Sequence, residues 1–213
     1  MPTASLQSLS TETDPRARIL GQAKQRFLAH GYSQCTMDEL ARELGMSKKT
    51  LYQHYSDKES IMMAVIDDIF AEVRRMADAL FADRQLSFTE KLHRFTGEMT
   101  RRFTSLSPLL LRDLQRFAPR LYQYIEKLRQ RNIPLIFGQL VQQGQAAGMV
   151  RAEIDPTFAV EFWRPAIQSL MHPDTLERLG LRPDQVFNHA ITLFFGGLLT
   201  PAGRKEHEKL FAR

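Results

Sequence analysis

Residues 36–58 read TMDELARELGMSKKTLYQHYSDK, and this stretch decides the fold. Thr36 and Glu39 have the spacing of a capping box, in which hydroxyl and carboxylate satisfy each other's backbone donors, so a helix starts there. Leu40, Ala41 and Leu44 give it an apolar face, and Gly45 ends it. Ser47 caps a further short helix whose Leu51 and Tyr55 point inward. Two short helices thus meet at a glycine, and the second presents Lys48, Lys49, Thr50, Tyr52 and His54. A short anchored helix rich in donors is what reading the DNA major groove requires.

Upstream, Ile19, Ala23 and Phe27 fall at helical spacing between Pro15 and Gly31, which predicts a first helix. Downstream, Ser56 and Glu59 have capping-box spacing and open a long fourth helix. Its apolar positions at 62, 65, 66, 69, 73, 76, 77 and 80 keep the helical period. Past residue 85, prolines punctuate predicted helices near 87–105, 108–117, 119–147, 156–171 and 183–200, with Pro134 expected to kink or split the third. Strand signals are missing. The fold class is therefore all-α: an N-terminal three-helix unit over 15–62, then a helical bundle over 63–205. Residues 1–14 read as a disordered arm and 206–213 as a frayed tail.

Bulk charge is a poor guide. The chain's net charge is +5, yet residues 36–58 balance Arg42, Lys48, Lys49 and Lys58 against Asp38, Glu39, Glu43 and Asp57. Placement matters more: no acid lies between Ser47 and Tyr55, and Arg16, Arg18, Lys24 and Arg26 sit on the preceding helix. Residues 101–131 carry eight basic residues against Asp113 and Glu126, a surplus that reads better as solvated, packed arginines than as an anion site. A single cysteine, Cys35, suits a reducing cytoplasm, and no apolar run is long enough to cross a bilayer.

The string Gly-Met-Ser-Lys-Lys-Thr-Leu-Tyr-Gln-His-Tyr-Ser-Asp-Lys-Glu, with the helices around it, resembles the TetR/AcrR family of bacterial transcriptional regulators over residues 16–63. Lys49 departs from the small residue many members have there. The resemblance implies a homodimer on a palindromic double-stranded operator, most simply a repressor relieved by a small-molecule effector. On the residues, Lys48 and Lys49 reach guanine edges or phosphates, while Thr50, Tyr52 and His54 contact base or phosphate. Ser47 caps the reading helix, and Thr36 and Lys58 stand at helix starts that attract phosphate.

For the second half, the resemblance implies an effector pocket and a dimer face. Phe95, Met99, Phe103, Phe137 and Trp163 supply apolar lining of the required kind, and His172 a polar anchor. Residues 185–200 are apolar on nearly every side, so helices 156–171 and 183–200 are expected to pair across a two-fold axis through Phe162, Phe187, Ile191, Phe194, Phe195, Gly196 and Leu198, the alternative being burial inside the subunit. Gly196 and Gly197 would weaken that helix unless close backbone approach offsets the cost. No cofactor or metal is expected: the six histidines are scattered, with no HExxH spacing, P-loop or GxSxG elbow. The rival readings are an effector-independent DNA-binding protein and, more weakly, an enzyme with an unrecognised helical site.

Overall fold

The computed structural model describes residues 14–211, and the expected N-terminal arm lies outside them but for Asp14. Among the described residues there are helices and no strand; Val150 and Leu199 form an isolated antiparallel bridge. The order is α1 (Pro15–His30), α2 (Met37–Glu43), α3 (Lys48–His54), α4 (Lys58–Ala82), α5 (Phe88–Thr104), α6 (Pro108–Phe117), α7 (Pro119–Ala146), α8 (Pro156–Leu170), α9 (Pro173–Leu179), α10 (Pro183–Leu198) and α11 (Pro201–Phe211). Among the described residues, no helix is long and apolar enough to cross a membrane.

Local chemistry explains most of the boundaries. Prolines stand at the first turn of α1, α6, α7, α8, α9 and α10, where a missing N–H costs nothing. Thr36 and Ser87 close capping boxes with Glu39 and Glu90. At α4 the expected Ser56–Glu59 box is replaced by Asp57 with Ser60: Asp57 Oδ1 accepts from Ser60 N at 2.7 Å. A carboxylate one residue on is the stronger acceptor for the orphan amides.

Two hydrophobic clusters divide the buried residues. One joins α1–α3 and the start of α4 to α6 and the first half of α7, through Phe27, Leu40, Leu51, Leu114 and Leu121. The other collects the end of α4, α5, the second half of α7, α8 and α10 around Phe137 and Trp163, whose rings stack at 4.6 Å. Both α4 and α7 cross from one cluster to the other. Pro134 falls where α7 changes cluster, and the helix does not split there; packing on both sides outweighs one lost hydrogen bond.

The C-terminus corrects the frayed-tail expectation. Residues 201–211 form α11, which packs on α5, and Thr89 Oγ1 donates to Glu206 Oε1 at 2.6 Å. The charged run from Arg204 to Lys209 masked this docking. Gly203 is part of the reason the helix docks: a Cβ there would strike the carbonyl of Met149. Gly144 plays the same role inside α7, where a Cβ would lie 2.7 Å from Phe88 Cζ and closer still to Val150 Cγ2. Gly144→Ala should therefore cost about 1–3 kcal/mol by overpacking. In thermal unfolding that is a fall of about 2–10 °C for a chain of this size; an unchanged midpoint would mean Phe88 moves aside freely.

Candidate nucleic-acid interface

Helices α2 and α3 cross because each contributes buried apolar side chains to one small core: Leu40 and Ala41 from the first, Leu51 from the second, with Tyr55 just beyond it. The turn between them is a Schellman motif. Met46 N donates to Ala41 O at 3.0 Å and Gly45 N to Arg42 O at 3.2 Å, with Gly45 at φ +64°. Only a residue without Cβ adopts that angle at no cost. Ser47 Oγ then accepts from Thr50 N at 3.0 Å and starts α3.

With about 100° per residue around a helix, Lys48, Lys49, Tyr52 and Gln53 share one side of α3, and Leu51 lies opposite. The exposures agree: these four are exposed, Tyr52 by 49%, and Leu51 is buried. Gln53 stood in the quoted stretch but was passed over in favour of the more basic or aromatic residues around it. A side-chain amide here can hydrogen-bond an adenine edge through both its groups.

Three expectations change. His54 is half-buried and lies about 200° from Tyr52 around the axis, so the two are not neighbours on the outer side. Lys58 turns inward: its Nζ donates to Tyr32 O at 3.0 Å and sits 4.1 Å from the Tyr32 ring centre. Burial holds that ammonium below the usual lysine pKa. Lys58 thus ties α4 to the turn after α1, and Asp57, not an open amide, occupies the helix start. The cations of α1 are likewise committed: Lys24 to Asp68 and Glu72, Arg26 to Glu39 and Glu43, Arg18 to Leu44 O, and Arg16 over the Tyr55 ring. Even Lys48 meets Asp38 at 2.6 Å, although both are largely exposed and a phosphate can replace that partner.

The hydroxyls of Thr36 and Thr50 are also in use. Thr36 Oγ1 donates to Glu39 Oε2 at 2.9 Å and accepts from Glu39 N, and Thr50 Oγ1 lies 2.8 Å from Ser47 Oγ. Cys35, which precedes Thr36 in the chain, is fully buried, and burial pushes its thiol pKa up. Much of the 101–131 surplus is paired or packed: Arg102 with Glu72 and Glu98, Arg129 with Glu126, Arg116 over the Phe117 ring.

Residues 19–65 match the family described as bacterial regulatory proteins, tetR family. The regulator YvaF of Bacillus subtilis is 22% identical over 85% of this chain and 94% of its own length. The transcriptional activator FasR of Mycolicibacterium smegmatis is 35% identical, but over only 33% of this chain and 34% of its own length. The solved regulatory protein TetR from Rhodobacter sphaeroides superposes with a TM-score of 0.64 at 21% identity, covering 86% of this chain and 98% of that one. Residues 19–65 are thus the DNA-binding unit of the tetR family of bacterial regulatory proteins, and the chain as a whole shares the fold of solved TetR-type regulators. It is a TetR-type DNA-binding transcriptional regulator, in which α3 occupies the place of the second helix of the helix-turn-helix.

Deeper in the regulator, Phe95, Met99, Phe103, Phe137 and Trp163 come together around a cavity of about 280 Å³. His172 does not join them. It caps α9, its Nδ1 accepting from Asp174 N at 3.4 Å, and faces a separate outer groove with Tyr122 and Glu126. The missed helix α9 is what turns it outward.

Lys24 on α1 donates to Asp68 at 2.9 Å and to Glu72 at 2.7 Å on α4, and Arg102 on α5 donates to Glu72 at 3.0 Å. This chain of ion pairs connects α1 to the cavity wall. Burial alone would raise the Glu72 pKa, but the hydrogen bonds from Lys24 and Arg102 outweigh it and hold it below the usual 4.5. Such a depressed group stabilises the fold above its unfolded-state pKa and loses that contribution as pH falls through the lower folded value. Glu72→Gln should therefore destabilise by about 1–2 kcal/mol at pH 7. The gap to wild type should close in acid below pH 4.5; a gap independent of pH would show that the carboxylate's charge is not what matters.

The dimer-face expectation divides. Phe187, Ile191, Phe195 and Leu198 are buried inside the subunit, so they cannot meet a partner as proposed from sequence. They pack in the core because α10 lies across α5 and α8. What remains outside is Phe158 (66% exposed), Phe162 (60%) and Leu193 (79%), with Phe194 half-buried and stacked on Phe162 at 6.3 Å. Around Gly196 and Gly197 a Cβ would meet nothing within 4 Å.

Proposed function

We propose that this regulator is a homodimeric repressor whose grip on a palindromic operator is relieved by a small molecule. Residues 15–62 would form the reading head and 63–205 the effector and dimer region. One observation carries the reading: Lys48, Lys49, Tyr52 and Gln53 project together from a short helix whose other side is locked into a core. Thr36, Ser47 and Thr50 would support them at the groove edge, meeting phosphate only where a cap can share its hydroxyl. Phe158, Phe162, Leu193 and the open glycines of α10 form an apolar surface suited to a second copy, which would set two heads about one or more helical turns apart. The cavity favours an effector over a purely architectural role. Such a protein works in the cytoplasm with the DNA and performs no catalysis.

A mobility-shift titration on the intergenic DNA flanking the gene tests this, followed by a reporter driven from that promoter. Saturable binding to an inverted repeat, with rising expression when the gene is deleted, supports the proposal. Falling expression on deletion would make the regulator an activator. No binding to any duplex in dilute buffer would remove the operator reading itself.

A further inference from the structure

The residues around the α4–α5–α7–α8 cavity are mostly apolar, and its charged lining is of one sign. Lys24, Arg102 and Arg129 line it, Ser105, Asn132 and Gln168 add neutral polar groups, and no carboxylate is among the lining residues. The nearby acids face their cations: Glu72 and Glu98 on Arg102, Glu126 on Arg129. Resting on the effector reading above, we infer that this cavity takes an amphipathic organic monoanion, its apolar chain among the rings and its acid head on Arg102.

Three physical points support that class. At about 280 Å³ the cavity is at the small end for a ligand site, which suits a single slim chain better than a fused-ring system. A neutral apolar ligand would bury its surface but gain nothing from the cations, whereas a carboxylate forms a charge-assisted pair with a planar guanidinium. A cationic amphiphile would place like charges together in a poorly solvated space.

The position of Arg102 also supplies a consequence. Its Nη1 holds Glu72 and its Nε holds Glu98. An incoming carboxylate that displaces Glu72 leaves that residue paired with Lys24, so no protein charge is stranded. The link from α5 to α1 opens, and with it the tie between the cavity wall and the helix that buttresses α2 and α3. A ligand acts only through such differential contacts between states.

Trp163 is the chain's one tryptophan and lines the cavity, so its fluorescence reports occupancy without DNA. The test titrates the full chain with decanoate, decan-1-ol and decyltrimethylammonium, all below their micelle concentrations. Decanoate should bind at least about tenfold more tightly than the alcohol, one charged contact's worth, with the cation weakest. Arg102→Met should erase that advantage while leaving the alcohol's affinity within about twofold, as expected for a contact confined to the head. Equal binding of acid and alcohol, tighter binding of the cation, or no response from any of the three overturns the inference on wild-type protein alone. If Arg102→Met fails to fold, Arg102→Lys serves: a reduced but persisting preference supports the assignment, and an unchanged one moves the head elsewhere. A protein that binds decanoate yet no duplex would instead sink the functional reading.

Discussion

Lys48→Ala combined with Lys49→Ala should weaken operator binding by about a hundredfold or more, since each lost base or phosphate contact is worth about 1–3 kcal/mol and a dimer loses it in both heads. The expectation follows from where the side chains stand. Both project from the first turn of α3, and neither contributes to the core. Lys48's pair with Asp38 is exposed at both ends, so its loss should leave stability within about 0.5 kcal/mol. Thermal unfolding should thus be unchanged while affinity collapses, and the slope of log affinity against log salt should fall by about 1 for each phosphate contact removed. Lys127→Ala, an exposed lysine on α7, serves as the control. If the double variant kept both affinity and salt slope, α3 would not be the reading helix.

A similar separation applies to Leu193→Asp. Leu193 is 79% exposed in the subunit, so a carboxylate there should leave each fold intact. Across a two-fold axis, however, the same residue would meet its own copy or the neighbouring Phe158 and Phe162, and an unpaired buried charge costs several kcal/mol. Sedimentation should show the wild type as a dimer and the variant as a monomer at micromolar concentration. Operator affinity should then fall by about 10²–10⁴, because the second head no longer binds at high effective concentration. A wild-type monomer, or a variant that stays dimeric and binds DNA normally, would place the dimer face elsewhere.

Much of this was legible without coordinates because the signals are local. Capping at Thr36 and Ser47, prolines at helix starts and the apolar period of α4 depend on neighbours within a turn or two. The cavity rings were recognisable as a set because aromatic and methionine side chains must go somewhere apolar. The errors at polar residues share one cause. His54, Lys58 and the cations of α1 were assigned by residue type, whereas His54 turns to the other side of its helix and the partners of the cations lie 13 to 48 residues away. Phe187 and Phe195 read as interface residues because a helix apolar all round does not say which neighbour covers which side. The docking of α11 was hidden by the charged run from Arg204 to Lys209.

By itself, the amino-acid order determined that this is an all-helical chain with a Gly45-centred turn and a basic, solvent-directed third helix, because propensity, capping and period act over a few residues. Only the tertiary structure decided which charges are spent inside the molecule and which remain for a partner. It also decided that Lys24, Glu72 and Arg102 form one path from the first helix to the cavity. Ion pairing and burial are set by distance in space, and distance in space is fixed only once the helices have packed.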